Sequence, residues 1–159
     1  MTPLRDDVRC AVLLDTNPLV EASDLKARRL TQMTAVRNRG LANVVRDEMK
    51  PNYSGPGPNR GDTLDLGLEM ALGHGPDVFL NRSPALMHRL DQSEPLKGAN
   101  LPVLVLRGRD DRFCPVSRHK RMTDLIPGAQ LEIYEGAEHL PTLEQPELTY
   151  AALARWMED

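Results

Sequence analysis

The stretch Leu101-Pro-Val-Leu-Val-Leu106, running into Gly108-Arg-Asp-Asp111-Arg-Phe-Cys-Pro115, decides how this chain is read. Its first part is apolar without alternation, the pattern of a strand covered on both faces in a parallel sheet. Its second part is a polar turn. The arrangement then repeats: a helix from Pro115 or Val116 stops at Pro127-Gly128, and Gln130-Leu-Glu-Ile-Tyr134 alternates and runs into Glu135-Gly-Ala-Glu-His139. A right-handed crossover sets two such strands side by side and parallel. Asp111 and His139 then leave the same carboxyl edge, where open α/β sheets build their sites. Pro146 opens a last helix through Trp156.

Working backwards, Arg9-Cys-Ala-Val-Leu-Leu14 is another unbroken apolar run, ended by Asp15-Thr-Asn-Pro18. It and the 101–106 run read as central strands, whereas alternating 130–134 reads as nearer a sheet edge. Leu25, Leu30, Met33 and Val36 recur at helical spacing over residues 24–38. Leu41, Val44, Val45 and Met49 do so over 41–49, with Gly40 as the stop between them. Residues 51–61 hold three prolines and three glycines and read as a loop. Asp62 is expected to cap a helix over 63–72. Pro76 suits the first position of another helix, which carries Val78, Phe79, Leu86 and Leu90 and is expected to kink or split at Pro84. Residues 91–100 read as polar connection.

Composition narrows the function classes. With 159 residues and 40% apolar content, the chain has the length to bury roughly 68–70% of its unfolded surface in one domain. A net charge of -3 gives no electrostatic reason for a nucleic-acid or anionic-membrane partner. No apolar run approaches the roughly 20 residues that span a bilayer, and residues 1–7 lack the regions of a signal peptide. A soluble cytoplasmic protein is therefore expected, with Cys10 and Cys114 as free thiols and Cys10 as a core filler. His74, His88 and His119 have no partners at metal-binding spacing, so no metal and no cofactor are expected. Arg107, Arg109, Arg112, Arg118, Lys120 and Arg121, interleaved with Asp110, Asp111 and Asp124, read as a solvated face. Gly55-Pro-Gly-Pro58 lacks the ending of a phosphate loop, so its glycines read as loop flexibility.

Residues 101–159 resemble the C-terminal part of the α/β-hydrolase superfamily. In that family a Gly-x-x-Asp-x-x-x-Pro carries the acid of a catalytic triad, here Gly108, Asp111 and Pro115. A Gly-x-x-His turn followed by Glu-x-Pro carries the histidine, here Gly136, His139, Glu144 and Pro146. Residues 8–17 resemble the strand after the nucleophile helix, and residues from about 17 to 94 resemble the helical cap insertion. The resemblance implies a partial α/β-hydrolase fold with about three parallel strands, near 9–14, 102–106 and 130–134. It divides the chain into a core of residues 1–16 and 96–159 and a helical cap of residues 17–95. It also implies that His139 is a general base and Asp111 its orienter; the spacing from Gly108 and to Pro115 favours Asp111 over Asp110.

The chain departs from the family pattern in holding no Gly-x-Ser-x-Gly turn. Ser23, Ser54, Ser83, Ser93 and Ser117 all lie outside any strand-to-helix glycine turn. Two functions follow as expectations. One is the cap and C-terminal portion of a serine hydrolase acting on an ester, lactone or similar bond of a small apolar substrate. The other is an inactive truncated or split-gene product that serves as an interaction module. Dehalogenase and epoxide-hydrolase relatives, with a carboxylate nucleophile, share the same acid and histidine. Taken alone, the chain is expected to be nearly inert. The edge of the 9–14 strand is expected to be covered by self-association or by a complementing chain.

Overall fold

A computed structural model describes residues 7–158. Residues 1–6 lie outside it, and with them most of the stretch read for a signal peptide and the start of the core unit. Three parallel strands form one sheet: β1 (Ala11–Leu14), β2 (Val103–Gly108) and β3 (Gln130–Tyr134), in the order β1-β2-β3. The register sets Leu14 beside Leu106 and Gly108 beside Tyr134. Every residue of β2 is buried, as its unalternating composition requires.

Helices cover both faces. On one, Leu104 and Leu106 of β2 pack with Ala152 and Trp156 of the terminal helix, Pro146–Glu158. On the other, Val103 and Val105 pack with Met122 and Ile126, the first in the helix Val116–Leu125 and the second capping it. Between β1 and β2 the chain builds a helical layer: α1 (Ser23–Arg39), α2 (Leu41–Val44) and α3 (Arg60–Met87). A π-helical turn, Val45–Met49, extends α2. Val36, Leu41, Val44 and Val45 form a separate apolar cluster with Leu68, Phe79 and Leu80. Lys50–Asn52 forms a 3-10 turn, so the stretch read as a loop begins helically, and the further α-helices are α4 (Ser93–Lys97), α5 (Val116–Leu125), α6 (Pro141–Glu144) and α7 (Pro146–Glu158).

Several expectations are corrected. β1 is an edge strand of the described sheet, with Val12 40% exposed. Ala11 and Leu13 pack on the α5 side and Leu14 on the α7 side, whereas Val12 joins neither cluster. Cys10 precedes the paired segment and is exposed, so it fills no core. The break in α3 falls at Gly75, with φ 80° and ψ 171°, and the helix continues through Pro84. Glycine reaches positive φ without a Cβ penalty, and Pro76 disfavours a helical residue before it, so the Gly-Pro step yields first. The N-cap position of α3 is Asn59, which leaves Asp62 in the first turn against the helix dipole. Leu90 lies beyond that helix, 76% exposed, and α4 occupies part of the expected polar connection.

Gly108 shows why that position in the turn admits no side chain. A Cβ there would overlap the backbone of Ala137 and Glu138. The two strand-end loops instead meet main chain to main chain, Arg109 N–H donating to Tyr134 O at 2.8 Å and Asp110 N–H to Ala137 O at 3.0 Å. Gly108→Ala should therefore force the loops apart and cost about 3 kcal/mol in chemical denaturation. A loss below about 1 kcal/mol would show that the approach is slack.

Candidate active site

The loop after β2 and the loop after β3 bring Asp111 and His139 together. His139 Nδ1 lies 3.1 Å from Oδ2 of buried Asp111. The other oxygen of Asp111 accepts the N–H groups of Phe113 at 2.7 Å and Cys114 at 3.1 Å. Burial by itself raises the Asp111 pKa. The hydrogen bond and charge of His139, together with those two N–H donors, outweigh it and hold the carboxyl below its ordinary range. With its Nδ1 proton directed to Asp111, His139 keeps Nε2 as an acceptor, and no described side chain hydrogen-bonds to that atom. Asp110 is exposed.

Two aromatic rings fix the face of the imidazole. Phe113 lies 4.9 Å and Tyr53 5.9 Å from the His139 ring, centroid to centroid. Tyr53 comes from the loop before α3, and that loop is held by Glu144. One oxygen of Glu144 accepts from Ser54 Oγ at 2.8 Å and Gly55 N–H at 2.9 Å. The other accepts from Glu138 N–H at 2.9 Å and Leu140 N–H at 3.2 Å. A single carboxylate thus clamps the residues on either side of His139 to the loop that lies over it. Gly55 packs directly on Glu138, where a Cβ would come within 3.1 Å of Cγ, so this glycine serves close approach rather than flexibility alone.

Asp15, at the end of β1, is a site residue that the sequence reading did not select. Its φ of 39° is left-handed, which Asp tolerates better than most residues. Oδ1 accepts Gly108 N–H at 3.2 Å, while Oδ2 is buried with no protein donor among the described residues. Burial, and then the charge and hydrogen bond of Asp111, push the Asp15 carboxyl up to about 8; the Gly108 N–H and the Arg107 charge work against them. Two carboxylates this close cannot both ionise easily, so a proton stays on Asp15 while Asp111 serves His139.

His119 is wholly buried on α5. Its Nε2 accepts Thr16 N–H at 3.2 Å, and burial lowers its pKa. It is a structural histidine that anchors the β1 turn. Arg107, read as part of a solvated face, is 1% exposed and donates to the carbonyls of Gly108 and Arg109. Cys114 is buried, and burial followed by the Asp111 and Asp15 charges pushes its thiol up to about 12. Asp111, Cys114 and His139 offer donor atoms within 4.8 Å of one another. A thiol that keeps its proton and an Nδ1 already engaged with a carboxylate make a poor cation cradle. The trio fits acid–base work better.

A cavity of about 710 Å³ opens between this sheet edge and the helical layer, and His139, Phe113, Tyr53 and Asp15 line it. Strand-end logic, which sets Asp111 and His139 on the carboxyl edge, applies equally to Asp15, the first polar residue after β1. Tyr53 and the clamp on Glu144 depend on contacts across about 90 residues, which no local pattern encodes.

Two substitutions test this arrangement. Glu144→Gln puts an NH₂ group where two N–H donors now point, and should cost about 1–3 kcal/mol while exposing the Gly55, Glu138 and Leu140 amides to faster hydrogen exchange. Unchanged protection at those amides would refute the clamp. Between its ordinary value of 3.8 and about 8, Asp15 keeps in the folded chain a proton that the unfolded chain has lost. Its contribution to stability therefore falls as pH rises through that window. Asp15→Asn removes the decline, so its denaturation midpoint should gain on the parent from pH 4 to pH 8. A pH-independent difference would contradict the shared proton.

No family model matches the sequence. A putative carbamate hydrolase RutD from a Caulobacter species is 34% identical over 82 residues, which cover 52% of this chain and 30% of that protein. A thermophilic esterase from Thermogutta terrifontis superposes with a TM-score of 0.84 at 26% identity, over 94% of this chain and 55% of that one. A bromoperoxidase from Bacillus anthracis gives a TM-score of 0.80 at 20% identity, over 98% of this chain and 60% of that one. The chain thus spans under two thirds of each of these proteins. Three parallel strands in this order, helices on both faces and this similarity across nearly its whole length show that the chain has a partial α/β-hydrolase fold.

Proposed function

We propose that this chain supplies the acid and the histidine of a serine hydrolase that cleaves an ester, lactone or similar bond of a small, largely apolar substrate. The observation that carries the reading is the Asp111 to His139 hydrogen bond at the mouth of a cavity, with Nε2 left as an acceptor. A hydroxyl becomes a competent nucleophile when an imidazole takes its proton, and a carboxylate on Nδ1 keeps the imidazole in the accepting tautomer. In this reading His139 takes the serine proton at Nε2 as the tetrahedral intermediate forms and returns it to the leaving oxygen. Asp111 stabilises the imidazolium between those steps. The serine comes from a Gly-x-Ser-x-Gly segment outside these 159 residues. Residues 17–95 serve as the cap, with Leu25, Val78, Phe79 and Leu86 as apolar pocket wall.

A protein that joins this chain to a nucleophile-bearing half of the same fold should hydrolyse p-nitrophenyl acetate. His139→Ala should lower its turnover by roughly 10⁴ to 10⁶-fold. Activity retained in His139→Ala would overturn the assignment.

The second reading, an interaction module, draws on the open outer edge of β1, where Val8 and Val12 are exposed. An unpaired strand edge with apolar side chains is a template for another strand. On this reading, sedimentation of the chain alone should give species larger than 17.8 kDa. Val12→Lys should shift them toward the monomer. A monodisperse monomer that binds no complementing half would count against it.

A further inference from the structure

The cavity holds more positive charge than its own carboxylates neutralise. Arg29 on its wall is paired with Glu21 at 2.7 Å, and Arg112 with Glu138 at 3.4 Å. The carboxylate of Glu48 is taken by Arg39, and Arg28 reaches only the Glu48 carbonyl. Asp24 lies in the first turn of α1, where the helix dipole already suits it. Arg82, Arg89 and Arg118 line the same cavity and have no acidic partner within salt-bridge distance among the described residues.

Two of these arginines are placed where stability alone would not put them. The Nε of Arg89 is buried without an acceptor, and a buried N–H of a cation left unpaired is costly. Arg118 stands in the first turn of α5, which carries no acidic residue. That end of a helix is partially positive and repels a cation. Both guanidinium charges are felt at the Cys114 thiol, whose sulfur lies among the donor atoms of Asp111 and His139. Both line the cavity that Cys114 and His139 also line. A bound anion would satisfy Arg89, relieve Arg118, and meet the guanidinium geometry that pairs with carboxylates.

We propose that Arg89 and Arg118 form a carboxylate-recognition site, so that the substrate is the ester or lactone of a small acid that keeps a second, free carboxylate. Val78, Phe79 and Leu86 on the same wall receive its apolar chain, and Arg82 adds charge at the mouth. This rests on the hydrolase reading and deepens it by naming the class of acid. A lone inorganic anion would use the arginines and leave the apolar wall empty. A carboxylate on a short hydrocarbon uses both.

The test reads binding on the chain itself, without turnover. Amide resonances of Cys114, Arg118 and His139 are followed by NMR during titration with monomethyl glutarate, with neutral dimethyl glutarate, and with inorganic phosphate. Monomethyl glutarate should shift them saturably, and the other two probes should bind at least about tenfold more weakly, as expected when a charge-assisted contact is lost. Arg89→Gln and Arg118→Gln should each weaken the monoester about tenfold, while the comparison of probes on the unaltered chain needs no variant to fold. Equal binding of the two esters, phosphate binding as tight as the monoester, undiminished affinity in both variants, or no saturable shift would each overturn the site. The outcomes separate cleanly from the hydrolase reading. Selective monoester binding beside a joined protein that lacks His139-dependent turnover would sink only the hydrolase reading, and turnover indifferent to the free carboxylate would sink only this site.

Discussion

The main chain of Gly108 lies directly against that of Ala137 and Glu138, and the geometry of the site depends on that approach. Two parallel neighbouring strands guarantee only that their following loops start on the same edge, a strand spacing of about 4.8 Å apart. They do not guarantee that side chains from those loops meet. The missing Cβ lets the loops close until Asp110 N–H reaches Ala137 O, and only then does the carboxylate of Asp111, one residue on, come within hydrogen-bonding distance of His139. Glu144 secures the opposite side by accepting the amides that flank the histidine. Precision at the imidazole is thus built from backbone contacts, which have less freedom than side-chain packing.

Closing the loops this tightly also brings charges together. Asp15, Asp111, Arg107 and His119 are buried around this closure, and burial works against the charge on Asp15, Asp111 and His119. The region balances if Arg107 and Asp111 carry opposite charges, His119 stays neutral as acceptor of the Thr16 amide, and Asp15 keeps its proton. That arrangement also gives Asp15 Oδ2, otherwise a buried oxygen without a donor, a reason to be there: protonated, it donates. Chemically, a protonated neighbour leaves Asp111 as the single anion that faces the imidazole, so the histidine has one carboxylate to orient toward.

How much of this could be read from the sequence follows from the range of each interaction. Strands β2 and β3 and helix α5 arise from runs within about 40 residues, and local patterning located them, while the resemblance to the α/β-hydrolase motifs singled out Asp111 and His139 in the turns that follow. β1 was legible as a strand with an uncovered edge; its unbroken apolar run reads as central, but topology decides the burial, and it lies at the edge of the described sheet. The break at Gly75 falls between the helices read over 63–72 and from Pro76, where the Gly-Pro pair combines a free φ with a constrained successor, whereas the kink expected at Pro84 is absent. Arg107 was mistaken for a surface charge because charge runs usually are, yet strand alternation sets it beside Val103 and Val105 on the covered face. The clamp on Glu144 joins residue 54 to residue 144 and has no sequence signal beyond its place two residues before Pro146.

The helical layer and the sheet are joined differently from the way each is held together. Each has its own apolar cluster, and none of the three clusters combines residues of α1, α2 or α3 with residues of the sheet. Links between them include the carboxylate of Glu144 on Ser54 and Gly55 and the Tyr53 ring near Phe113 and His139. Polar links exchange with water at small net cost, whereas parting a shared apolar core costs about 25 cal/mol for every Å² exposed. A seam of this kind keeps the cavity walls in register around His139 while resting on contacts that cost less to part than a shared apolar core.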